Sequence, residues 1–259
     1  MLKVVGDDFI KRYRLLQSLE ALEKVREEIS KQSYRRLKAL VEYRLFGKGF
    51  NRAPIDEKVV VAFSAGSDST ATLKILRWAG FEVIPVMVEL PQMEESILWN
   101  AQSYGAVFVE IPNYMEIISE QIEKGAPICG KCHSMIMDAV KDYAMRKGIK
   151  IVASGDLLSV GSISIYLQGD VVKLNLPAFL ALDKRETIDI AGEYSFEFGC
   201  SLWKSAAHQS PILKKFAIQR VLRELRAGAI DKDIAKKLIF GILAKNNPKG
   251  LNLLSKKEV

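Results

Sequence analysis

Two groups of residues in this chain have the types and spacing to do chemistry. The first is the small-residue run Ser64-Ala65-Gly66-Ser67-Asp68-Ser69, which breaks off an apolar segment, Lys58-Val-Val-Val-Ala-Phe63, and leads into Thr70–Trp78. Glycine and serine let backbone N–H groups approach an anion, and a helix starting at such a loop adds a favourable dipole, so the run is suited to holding phosphate. The second group is the complete cysteine set, Cys129, Cys132 and Cys200. Cys129-Gly-Lys-Cys132 has the spacing that sets two thiolates on one metal. Lys131 and a helix start beside it favour the thiolate forms.

The cysteine set admits four readings. Structural zinc needs a fourth ligand, which His133 or His208 can supply as the two histidines of the chain. A redox dithiol of Cys129 and Cys132 leaves Cys200 without a role. Cys-x-x-Cys-His matches a haem c attachment string, against which stands an N-terminus, MLKVVGDDFIKRYRLL, with no signal-peptide core. An iron–sulfur cluster on three thiolates leaves one iron open to another ligand. With thiols expected to stay reduced in a cytoplasmic chain, metal or catalytic roles are favoured over a disulfide framework.

The elements that must position these residues follow from periodicity. Residues 7–47 carry Phe9, Tyr13, Leu16, Leu19 and Leu22 at helical spacing among dense charge, which predicts two amphipathic helices ending near Gly47-Lys48-Gly49. From residue 58 the pattern alternates. Strands are expected at 58–63, 82–88, 106–111, 150–154 and 171–174, with helices at 69–79, 94–104, 114–123 and 133–147. Such alternation predicts an α/β fold with a mostly parallel sheet and ligands at the carboxyl ends of its strands. Past Cys200 the strand signals stop, and residues 211–226 and 231–245 read as two basic helices. The expected organisation is a helical N-terminal extension over 1–54, the α/β domain over 55–205 and a basic helical region over 206–259.

Composition narrows the partners. Lys and Arg number 38 against 31 Asp and Glu, giving a net charge of +7, which suits a polyanion such as RNA. No run approaches the ~18 apolar residues of a membrane span, so a cytoplasmic protein without a membrane is expected. A homodimer is the base-rate expectation.

The loop is neither a Walker A motif, since no Gly-Lys-Ser/Thr follows, nor a dinucleotide fingerprint. It resembles the Ser-Gly-Gly-x-Asp-Ser signature of the PP-loop (N-type) ATP pyrophosphatases, with Ala65 where that pattern has glycine. The resemblance implies a Rossmann-like PP-loop domain, related to the adenine nucleotide alpha hydrolases, that cleaves ATP between its α- and β-phosphates. It implies that Ser64, Gly66, Ser67 and Ser69 cradle pyrophosphate and that Asp68 sits near Mg²⁺. Ala62, Phe63, Ala65 and Val88 join the expected nucleotide-binding set, as do Gly155 and Asp156 after the 150–154 strand.

Over roughly residues 55–215 the order of motifs is similar to that of the family members that thiolate tRNA. Those enzymes hold a 4Fe–4S cluster on a Cys-x-x-Cys and one distant Cys. The resemblance therefore implies an ATP-dependent sulfurtransferase in which Cys129, Cys132 and Cys200 ligate the cluster and a sulfide or sulfur-carrier protein supplies the sulfur. The related enzymes carry a His and paired aspartates near position 156, where this chain has Asp156-Leu-Leu-Ser159. Sulfur transfer to a small molecule, ATP-dependent amidation and a zinc-stapled nucleotide-binding protein remain the alternatives. Trp203-Lys204 is a candidate base-stacking pair, and the cations at 214–226 are candidates for tRNA phosphates.

Overall fold

The computed structural model describes residues 2–49, 51–124, 126, 128–159, 163–192, 202–203 and 211–244. Cys200, Lys204, His208 and the tail after 244 lie outside the described residues.

Helices α1 (Phe9–Lys24) and α2 (Lys31–Phe46) come first, and each starts where its capping residue predicts. The Asp8 carboxylate accepts from the Lys11 amide, and the Ser30 hydroxyl accepts from the Ser33 amide. Gly47, at φ 69°, closes α2 in the left-handed conformation that glycine takes without strain. The stripe that α1 buries is not the one its most obvious apolar residues suggest. Leu15, Ser18, Ala21 and Leu22 face the core, whereas Phe9 and Tyr13 stay 78% and 56% exposed. Leu15 and Leu22 join Leu37, Leu40 and Val41 of α2 in one hydrophobic core with the strands of the sheet.

That sheet has six strands in the order β3-β2-β1-β4-β6-β5. They are β1 (Lys58–Ala62), β2 (Glu82–Val88), β3 (Val107–Val109), β4 (Ile151–Ser154), β5 (Ile165–Gln168) and β6 (Val171–Asn175). All neighbours pair in parallel except β5, which returns antiparallel on β6. The β-branched run of β1 is buried at Val59, Val60 and Val61, as a central parallel strand requires. β5 is absent from the sequence-based expectation. Its signal is the two-residue Gly169-Asp170 turn, with Gly169 at φ 63°, between two runs too short to show a period.

The strands alternate with α3 (Ser67–Trp78), α4 (Glu95–Ser103), α5 (Tyr114–Glu123) and α6 (Ile128–Arg146). After β6 come the short α7 (Leu176–Phe179) and then α8 (Lys184–Ala191), also unforeseen from sequence. The helices Pro211–Arg226 (α9) and Lys232–Leu243 (α10) follow. By contact density the chain forms two units. One comprises residues 1–111 and 135–195, the other residues 112–134 and 196–259.

Candidate active site

Strand order reverses between β1 and β4, since the chain goes one way from β1 to β2 and β3 and the other way to β4 and β6. Such a switch point opens a crevice at the carboxyl ends of the two strands. The loop Phe63–Gly66 and the start of α3 occupy the β1 side, and Gly155 follows β4 on the other. Gly155 is required there by space. A Cβ on it would lie 2.7 Å from the Ser69 amide nitrogen and 2.8 Å from the Asp68 carbonyl carbon. It brings the end of β4 against the first turn of α3.

The loop is cross-braced by its own hydroxyls. Ser69 Oγ accepts from the Ser64 amide at 3.2 Å, donates to the Gly66 carbonyl at 3.0 Å and lies 3.2 Å from Ser64 Oγ. No side chain caps α3, so the amides of its first turn face the crevice. Thr72 donates to the Asp68 carbonyl at 2.9 Å. Ala65, which stands where the family pattern has glycine, has φ 54°. That conformation costs a non-glycine residue roughly 1–2 kcal/mol. Its methyl packs against the core, which returns up to ~0.8 kcal/mol, and alanine loses less entropy on folding than glycine by ~0.5–1 kcal/mol. These terms nearly cancel, so Ala65→Gly is expected to lie within about 1 kcal/mol of wild type in urea denaturation. Ala65→Val is expected to lose about 1–3 kcal/mol, because a branched Cβ at positive φ is a true outlier. A destabilisation by glycine as large as that by valine would contradict this account.

Two residues that sequence reading missed complete the loop. Lys184 Nζ lies 2.9 Å from Asp68 Oδ1 and donates to Ser67 Oγ at 2.8 Å; Thr187 Oγ1 donates to the same Asp68 Oδ1 at 2.7 Å. Both sit on α8, more than 115 residues further along the chain. The available signal was Asp183-Lys-Arg-Glu186, a capping box that the structure forms in full. Both contacts with Asp68 fall on Oδ1.

Helix α8 is itself clamped by the N-terminal helices. Arg44, fully buried, lies 3.0 Å from Glu186 Oε1 and 3.3 Å from Oε2, and donates to the carbonyls of Leu180 and Lys3. Lys11 reaches Asp183 at 2.7 Å and Glu186 at 2.9 Å. Burial disfavours the Lys11 ammonium, but its bonds to the two carboxylates outweigh that and raise its pKa. Burial likewise disfavours the Asp183 carboxylate, yet Lys11 and the first amides of α8 hold its pKa below the ordinary value. Asp183 therefore stabilises the fold above its unfolded pKa, and this is lost as pH falls through the lower folded value. The Lys11 contribution is present below its unfolded pKa and is lost as pH rises through the raised one. The clamp is intact throughout the neutral range.

The remaining expected nucleotide contacts are placed as follows. Ala62 ends β1 and Val88 ends β2, buried. Phe63 is buried, its ring 5.4 Å from that of Tyr104 while its amide donates to the Val86 carbonyl. Asp156 closes its own turn, accepting from the Leu158 amide at 2.7 Å and from the Ser159 hydroxyl.

In the other unit, α6 begins at Ile128 rather than at 133, directly after Pro127 in sequence. Gly130 is therefore helical and makes no tight turn. A Gly there costs the helix ~1 kcal/mol but leaves Cys129 and Cys132 neighbours on its first turns. Tyr114, buried at the start of α5, donates its hydroxyl to Cys132 Sγ at 3.1 Å. A hydroxyl donor and a helix N-terminus both favour the thiolate, so this pair fits a metal or cluster. Cys129 is exposed and Cys132 half-buried. Among the described residues no set of three His, Cys, Asp or Glu side chains is gathered for a metal. Trp203 is buried. No helix among the described residues is long and apolar enough to cross a membrane.

No family model matches the chain. The protein MJ1638 of Methanocaldococcus jannaschii, itself uncharacterized, is 34% identical over 247 residues, spanning 90% of this chain and 94% of that protein. The chain belongs to the MJ1638 family. The tRNA-specific 2-thiouridylase MnmA of Campylobacter curvus is 27% identical over 180 residues, 62% of this member of the family and 52% of that enzyme. The U34-tRNA thiolase NcsA from Methanococcus maripaludis, solved with its 4Fe-4S cluster, superposes with a TM-score of 0.44 and 13% identity. That alignment covers 82% of this chain and 77% of the other. This MJ1638-family chain resembles the PP-loop enzymes of tRNA thiolation, and its fold is a mixed α/β one with a six-stranded, mostly parallel sheet.

Proposed function

We propose that this chain is an ATP-dependent tRNA sulfurtransferase. The observation that carries the reading is the convergence of Lys184 and Thr187 on Asp68, beside the uncapped first turn of α3 at the switch point of the sheet. The match to a tRNA-specific 2-thiouridylase supports tRNA as the substrate. The amides of Gly66–Ser69 would take the β- and γ-phosphates of ATP, Lys184 would offset their charge, and Asp68 would hold a Mg²⁺ that supplies further positive charge there. A nucleobase carbonyl oxygen attacks the α-phosphorus and pyrophosphate leaves into the loop. A sulfide-class donor then attacks the activated carbon; the C–O bond breaks, AMP departs with its electron pair, and the donor's proton goes to solvent.

Cys129 and Cys132 supply two thiolates, the second stabilised by Tyr114, and Cys200 is proposed as the third. A 4Fe–4S cluster bound by three thiolates supplies an iron open to a sulfur ligand.

Two measurements test the reading. Protein purified without oxygen is expected to carry iron and acid-labile sulfide, and Cys132→Ser to lose both; stoichiometric zinc without iron would overturn the cluster. Mass spectrometry of tRNA nucleosides from a strain lacking the gene is expected to show one thionucleoside missing. An unchanged profile removes tRNA as the substrate.

A further inference from the structure

Helices α9 and α10 form a hairpin around Leu213, Ala217, Val221, Ile230, Ala235, Leu238 and Ile242, all buried. That packing leaves Ile212, Leu222 and Leu243 exposed on the outward faces. Over residues 211–244 there are eight Lys and Arg against three Asp and Glu, a net of +5 in a chain whose total is +7. One of the three acids, Glu224, is buried and pairs with Arg223, which leaves the balance of the remaining charges at +5. On α9 the outward residues include Lys215, Phe216, Gln219 and Arg226, and on α10 Lys236, Lys237 and Phe240. Phe216 is 57% exposed and Phe240 61% exposed. The Lys236 ammonium stands 6.0 Å over the Phe240 ring.

We infer that this hairpin is the surface on which the chain holds RNA, its cations on phosphates and its two phenylalanines against unstacked bases. The inference rests on the proposed tRNA substrate and says where that substrate docks. Exposed aromatic rings among cations suit a polyanion that also offers π-faces. Ile212, Leu222 and Leu243 are exposed on these helices as well, so the choice of RNA over a membrane surface rests on the proposed tRNA substrate. Phosphate contacts give affinity that falls steeply with salt, whereas stacking is largely indifferent to it. The two kinds of residue are therefore separable.

The full chain, wild type and with Lys215→Glu/Lys237→Glu or Phe216→Ser/Phe240→Ser, is titrated with unmodified tRNA from 50 to 300 mM salt. Every substituted residue is exposed, and thermal melts check that each variant is folded. The charge variant is expected to lose on the order of 10-fold or more in affinity at low salt and to reduce the salt slope by about 1–2. The phenylalanine variant is expected to lose on the order of 10-fold with the slope unchanged. Wild-type binding of tRNA that neither variant alters overturns the surface and leaves the thiolation reading standing. No binding of tRNA by wild type overturns both. A variant that changes sedimentation from dimer to monomer while tRNA binding is retained makes the face an interface between copies. Capture by anionic vesicles without tRNA binding makes it a membrane surface, and either result overturns the inference.

Discussion

Lys184→Ala is expected to lower ATP-dependent pyrophosphate release by about 10²- to 10³-fold in kcat/KM, the loss typical of one charge-stabilising group in a preorganised site. The argument is geometric. Lys184 is a cation already 2.9 Å from Asp68 and 2.8 Å from the Ser67 hydroxyl, at a loop built to hold phosphate. It is therefore in place to offset the charge that builds on departing pyrophosphate. Lys184→Arg is expected to recover only part of the activity, because a planar guanidinium does not reproduce a compact ammonium between two oxygens. Thr187→Val is expected to have a smaller effect, since it removes one neutral donor to Asp68 and no charge. Pyrophosphate release by purified variants checks these outcomes. Wild-type turnover in Lys184→Ala would mean that the contact with Asp68 serves only the fold.

Arg44→Ala is expected to be the most destabilising single change, by about 3–5 kcal/mol in urea unfolding, because it empties a fully buried site, leaves two carbonyls without their donor and leaves the half-buried Glu186 with Lys11 alone. The loss is larger than that of a surface pair, worth ~0–1 kcal/mol, since Arg44 is fully buried and also serves two carbonyls. Arg44→Met/Glu186→Leu is expected to be more stable than Arg44→Ala, since methionine fills more of the buried space, no carboxylate is left short of a cation, and Lys11 keeps Asp183. Strict additivity of Arg44→Met and Glu186→Leu in that pair would show that Arg44 acts on the carbonyls alone. Because Glu186 also completes the capping box of α8, the charge-free pair is expected to be weakened in ATP binding even where it is stable.

The sequence made the loop legible because its parts are contiguous. Three buried valines, a small-residue turn and an amphipathic helix lie within 20 residues, and each signal is local. Strands β1, β2 and β4 were readable for the same reason, being apolar runs bounded by turns. Lys184 and Thr187 were not. One lysine among 38 basic residues carries no mark until folding brings it to Asp68, and α8 is too short for its period to register. Asp156 was legible only in part. A Gly-Asp after a strand marks a candidate ligand contact, and the turn bonds that its carboxylate makes to the Leu158 amide and the Ser159 hydroxyl were not readable beforehand. The buried stripe of α1 was obscured by larger rings on its outer face, where Phe9 outweighs Ala21 in any apolarity count.

The bond from Arg44 to Glu186 joins residues 142 apart in sequence. On a ribosome adding ~5–20 residues per second, Arg44 is complete and waiting for about 7–30 s before its carboxylate is made. Through that interval the first two helices and the phosphate loop exist without the element that locks them. The nascent chain thus carries a built-in delay, and its earliest-made helices are among the last parts to find their charge balance.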